Sequence, residues 1–191
     1  MQLQHVNVKL LVQNPEAVDF ELLIPIFHRW IEDRTGSELL LDVADYSHVH
    51  AGPGVVLIGH EGDFSVDNSD NRPGVRYNRK APLDGSNQDR LKQAARAALT
   101  ACQRLETDSQ LDGKLRFNGE EIEVFMNDRL FVPNCDATRE AVHPDFQLFA
   151  QKLFRGGNYS LAYPSDQRRL FGVSMKSAER FSVEDLLETL A

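Results

Sequence analysis

Val6-Asn7-Val8-Lys9-Leu10-Leu11-Val12 is the stretch on which the fold class turns. Its apolar residues at positions 6, 8, 10 and 12 recur with period two, the mark of a strand with one face on a core. Asn14-Pro15 ends it. The period then changes. Across Asp19–Ile31, the residues Phe20, Leu23, Ile24, Phe27, Trp30 and Ile31 share one face of a helix. Pro25 marks either a kink in that helix or its first full turn, and Thr35-Gly36-Ser37 stops it.

Strand signals return at Leu39–Ala44 and Val55–Ile58, separated by the loop Ser47–Gly54. Phe64 and Val66 extend the second of these or begin another, and Val75–Asn78 reads as a further short strand. The polar run Asp67–Gly74 between them has the chemistry of a bend. Ser86-Asn87-Gln88-Asp89 resembles a capping box and opens the clearest helix, which runs to Glu106 over a stripe of Leu91, Ala94, Ala95, Ala98, Leu99, Cys102 and Leu105. Asn118-Gly119, between Leu115–Phe117 and Ile122–Met126, predicts a hairpin. A helix between Asp136 and Phe154, interrupted or restarted at His143-Pro144, leads to strands at Tyr159–Tyr163 and Leu170–Met175. Ser182 caps a last helix.

Strands mixed with helices in this order predict an α+β fold: a mixed or antiparallel sheet with about four helices, in one domain over residues 1–191. The order strand, helix, strand, strand occurs twice, which suggests two pseudo-repeated halves, 5–80 and 115–178, around a central helix 86–106. Glu16-Ala17-Val18 followed by Asp19-Phe20-Glu21-Leu22-Leu23 echoes Glu140-Ala141-Val142 followed, after an inserted His143-Pro144, by Asp145-Phe146-Gln147-Leu148-Phe149.

The formal net charge is −8, and Lys and Arg gather only in short groups such as Arg76–Lys80 and Arg168–Arg169. That balance argues against nucleic acid and against an anionic membrane surface as partners. No apolar run approaches the roughly 20 residues that span a bilayer. The start of the chain has no basic region followed by an apolar one, so a cytoplasmic location is the expectation. Cys102 and Cys135 belong to no CxxC pair and read as reduced thiols.

One segment is rich in chemistry. Asp42, Asp45, Tyr46, His48, His50, His60, Glu61 and Asp63 fall close together, and they include three of the six histidines. In extended backbone His48 and His50 point to one side, and the following strand would return His60 toward Asp45. Imidazole and carboxylate are ligands for zinc, iron or manganese. His48, His50, His60 and Asp45 are therefore the candidate ligands of a divalent transition metal, and His48, His60 and Asp45 the candidate catalytic groups. His-x-His is a common pair, and solvent-facing histidines are the plainer reading. Arg76, Tyr77 and Arg79 form a second cluster for an anionic small molecule, with Arg forking onto a carboxylate or phosphate; a charge-protected edge strand is the alternative. Two kinds of function follow. One is a small-molecule or metal-binding protein, an enzyme or not, with its site on the histidine loop. The other is a non-catalytic interaction module, a homodimer, whose surface includes aromatic stretches such as Phe125–Phe131.

Overall fold

The structure is a computed structural model, and it describes residues 1–34, 36 and 38–191. Its centre is the stretch quoted above. Strand β1 (Val6–Val12) is buried at every position, because it lies in the middle of an antiparallel sheet of eight strands. The others are β2 (Leu40–Tyr46), β3 (Gly54–Gly59), β4 (Gly62–Asp67), β5 (Gly74–Arg79), β6 (Phe117–Met126), β7 (Tyr159–Ala162) and β8 (Gly172–Ser177). The sheet order is β2-β3-β4-β5-β1-β6-β8-β7. Four α-helices complete the described residues: α1 (Phe20–Asp33), α2 (Asn87–Glu106), α3 (Asp136–Leu153) and α4 (Val183–Thr189). The α+β class read from the sequence is the class observed.

The helices form one layer. Helix α2 lies over β1 and β5, α1 over β2 and β3, and α4 and α3 over β6 and β7. Under them sit Val6, Val8 and Leu10 of β1, with Val75 and Tyr77 of β5 and Ile122, Val124 and Met126 of β6, all at most 2% exposed. Leu91, Ala94, Ala95, Ala98 and Leu99 of α2 meet them, and the small alanines let the helix approach the sheet closely. Ser86 caps α2 as expected, its hydroxyl accepting from the Asp89 amide while Asp89 reaches back to the Ser86 amide. Ser182 and Asp185 repeat the arrangement at α4.

Two readings change, and one alternative is decided. The sequence Asn118-Gly119 is not a hairpin turn: β6 continues through it, with its register against β1 shifting between the pairs Leu10–Ile122 and Val12–Phe117. Gly119 is needed for a close approach, since a Cβ there would meet the Phe181 carbonyl oxygen at 2.2 Å. Asn118 turns its side chain back to accept from the Glu120 amide at 2.8 Å. Helix α3 is continuous across Pro144. The missing amide hydrogen bond is tolerated because Val142, Phe146 and Phe149 anchor both sides of the proline in the core. Of the two alternatives for Phe64 and Val66, the second holds: they belong to a separate strand, β4. Helix α1 passes Pro25 after its first turn and ends at Arg34, whose φ of 49° is left-handed. Thr35 and Ser37 of the expected stop lie outside the described residues.

Among the described residues no α-helix packs on the second face of the sheet, only loops, one of which holds the short 3-10 turn Ser69–Asn71. Register fixes which residues share it. Ala44, Val56, Ser65, Arg76, Lys9, Glu123, Ser174 and Ala162 are successive partners across all eight strands. Asp63, Asn78, Asn7, Phe125 and Gly172 form the adjoining row. Loops rather than helices partly cover these rows, and so a polar sheet face becomes a cleft.

Candidate functional site

The cleft encloses about 320 Å³ and is lined by Asn7, Ser65, Asp67, Arg76 and Asn78 of the sheet, with Gly52 and Pro53 of the β2–β3 loop as one wall. That wall is tied down: the Asn68 amide donates to the Gly52 carbonyl at 3.1 Å. Ala51, beside it, holds a φ of 49°, which a non-glycine residue seldom adopts.

At the floor Lys9 Nζ lies 2.5 Å from Asp67 Oδ1, and the two side chains are 2% and 1% exposed. A lysine at the middle of a central strand is costly to bury unless paired, and Asp67 supplies the pair. Asp67 Oδ1 also accepts from the Ser69 amide at 3.1 Å, which shapes the start of the β4–β5 loop. That loop then folds over the sheet. Arg72 from its far end reaches across β1 to donate to Glu121 Oε1 at 2.7 Å and to Glu123. Burial pushes the Glu123 carboxyl above its usual range, and the nearby cations Arg72 and Lys9 only partly offset it. Burial acts on Glu121 as well, but the Arg72 hydrogen bond and charge outweigh it and hold that carboxyl low. Asp70 pairs with Arg169 of the β7–β8 loop, which joins the two loops above the face.

Arg76 joins this paired chemistry only loosely, as a second cation beside Asp67. Its guanidinium is 3.6 Å from Asp67 Oδ2, beyond hydrogen-bond length, and lies 5.2 Å above the Phe125 ring. Asp67 Oδ2, Asn7 Oδ1 and Asn78 Oδ1 are buried without a hydrogen-bond partner among the described residues. Buried polar atoms are ordinarily satisfied, and these three are all acceptors, so what completes them from outside brings hydrogen-bond donors, water included.

The sequence-predicted residues separate into four places. Arg76 faces this cleft. Tyr77 and Arg79 alternate to the helix side, where Tyr77 donates to Glu38 and Arg79 bonds Glu61 Oε2 at 2.8 Å. Asp45, His48 and His50 are exposed at the β2–β3 loop, and Asp45 is held low by hydrogen bonds from Ser47. His60 is exposed in the β3–β4 turn. The six residues of β3 separate that turn from His48 by roughly 17 Å, so the expected return of His60 to Asp45 does not occur. Among the described residues no group of three or more His, Cys, Asp or Glu is arranged to hold a metal ion. The loop does join Arg76 in one cleft, but through Gly52 and Pro53 rather than through its histidines. Sequence reasoning missed Asn7, Lys9, Ser65 and Asp67. The available signal was Asn7 and Lys9, two polar side chains alternating with apolar ones in the first strand.

No known protein family, curated protein sequence or solved structure matches this chain.

Proposed function

We propose that the protein binds a small, polar, anion-bearing molecule on the face of its sheet opposite the α-helices. One observation carries this: Arg76, Asn7 and Asn78 converge on a partly buried cleft with no side-chain hydrogen bond among the described residues. The Arg76 guanidinium suits a carboxylate or phosphate, while hydroxyl or amine donors on the same molecule meet the open oxygens of Asn7, Asn78 and Asp67, with Asp63 also in the lining. The volume, room for about ten waters, fits a metabolite rather than a peptide. Ser65 has no hydrogen-bonded base beside it among the described residues, so the reading is of binding and includes no reaction.

Calorimetric titration with a panel of small carboxylates and phosphate monoesters tests it. At least one should bind saturably, and Arg76→Gln should weaken that binding about tenfold or more, the usual loss for a hydrogen bond to a charged group. No saturable heat from any member, or binding that ignores both Arg76→Gln and Asn78→Ala, removes the reading. Metal analysis of the same protein separates it from the metal expectation: stoichiometric zinc, iron or manganese lost in His48→Ala would favour the latter.

Leu130 and Phe131, 81% and 70% exposed, favour a second reading. They lie side by side in the β6–α3 loop, an apolar pair suited to a partner surface, including that of a second copy of this chain.

A further inference from the structure

The helix side of the sheet holds a larger cavity. Helices α1 and α2 diverge over β4 and leave a groove of about 580 Å³. Its apolar lining is Trp30 of α1, Leu40 of β2, Phe64 of β4, and Ala97 and Ala101 of α2. The Arg104 guanidinium lies 3.8 Å from the Trp30 ring centroid and covers its face. The groove and the cleft lie on opposite faces of the sheet, since Phe64 and Ser65 are neighbours on one strand and point apart.

The polar end of the groove is built from buried groups. Tyr77 is fully buried, donates to Glu38 Oε1, and accepts from Gln93 Nε2 at 3.1 Å. That leaves one oxygen on each flanking side chain. Glu38 Oε2 and Gln93 Oε1 are both buried without a partner among the described residues. Glu38 and Gln93 both line the groove. Burial raises the Glu38 carboxyl above its usual range, and the Tyr77 hydrogen bond and the Arg79 guanidinium, 3.9 Å from Glu38 Oε1, only partly offset it.

We infer that this groove is a second binding site, for a small amphipathic molecule with an aromatic or aliphatic body and a hydroxyl or amine donor. The body lies on Leu40 and Phe64, with Trp30, its face covered by Arg104, in the groove wall. The donor meets Glu38 Oε2 and Gln93 Oε1, which the fold leaves open. A purely apolar molecule would leave both oxygens unsatisfied, and an anionic group at that end would face the Glu38 carboxylate. The site therefore selects for a donor head group, by the same rule that makes a pocket built for a hydroxyl reject the analogue lacking it.

Trp30 is the chain's single tryptophan, so its fluorescence reports on the groove alone. The probes are 2-phenylethanol, 2-phenylethylamine and ethylbenzene, which share a body and differ in the head. The alcohol or the amine should shift Trp30 emission saturably, with affinity at about the millimolar level for ligands this small. Ethylbenzene should bind at least about fivefold more weakly, the size of one modest hydrogen bond. The preference should shrink in Glu38→Leu, and binding should vanish in Ala97→Phe, which fills the groove from its half-buried wall. Circular dichroism checks that both variants fold. A preference for the alcohol alone indicates a neutral donor, and one for the amine that weakens as Glu38 protonates indicates a cation; either supports the site. No saturable change with any probe, equal affinity for all three, or binding that survives in folded Ala97→Phe overturns it.

Discussion

Lys9 and Tyr77 show how single residues on the two faces of one sheet answer to different physics. Lys9 is buried with Asp67 at 2.5 Å. Removing one partner of such a pair strands the other, so Lys9→Met should cost about 3–5 kcal/mol in a urea melt. Replacing both, as Lys9→Met with Asp67→Leu, should recover most of that. A double variant as unstable as the single one would show that the pair itself, rather than the orphaned charge, holds the strand. Tyr77 is neutral and buried, and burial together with its bond to Glu38 pushes its phenol from 10.0 up to about 12. The folded state thus keeps a proton that the unfolded state gives up near pH 10. The stability this supplies is whole below pH 10 and is lost as pH rises toward 12. The shift corresponds to about 2–3 kcal/mol. Wild-type stability should accordingly fall more steeply than that of Tyr77→Phe between pH 9.5 and 11.5 in denaturant titrations, and parallel curves would contradict the assignment.

At the level of elements, what could be read in advance was what period and caps encode. The alternation in β1 and the stripe and capping box of α2 lie in consecutive residues, and both appear where expected. Ser86→Ala should lower the melting stability by about 1 kcal/mol through the lost cap alone. Asn118-Gly119 misled because the same dipeptide serves two ends. It turns a chain back on itself, or it lets two backbones touch, and only the position of Phe181, some sixty residues away, decides which. Gly119→Ala should therefore destabilise by about 1–3 kcal/mol, as expected for overpacking, whereas at an ordinary surface turn the change would be milder. The candidate site was legible in part for a similar reason. Arg76 and the β2–β3 loop are both in the cleft, but strand order sets their meeting, and strand order is not local. His60 belonged with His48 only if the connecting strand were short, and β3 takes six residues to cross the sheet.

Across the whole molecule the asymmetry of the sheet organises everything else. One face is sealed by four helices and keeps a groove where two of them part; the other is closed only by loops and keeps a polar cleft. The β6–α3 loop leaves this sheet at Asn127, which also lines the cleft, and then exposes Leu130 and Phe131 beside the buried Val132. The buried valine fixes the loop, so the two exposed side chains are presented and not merely loose. If they join two copies of this chain, sedimentation velocity should give a dimer at tens of micromolar. Leu130→Ser with Phe131→Ser should then give a monomer of unchanged melting temperature, because neither side chain contributes to the core. Dimerisation there would also set a second copy beside the cleft, and the affinity of a cleft ligand would rise or fall with protein concentration. A wild-type protein that stays monomeric at hundreds of micromolar excludes self-association through this loop and leaves the pair to a different partner.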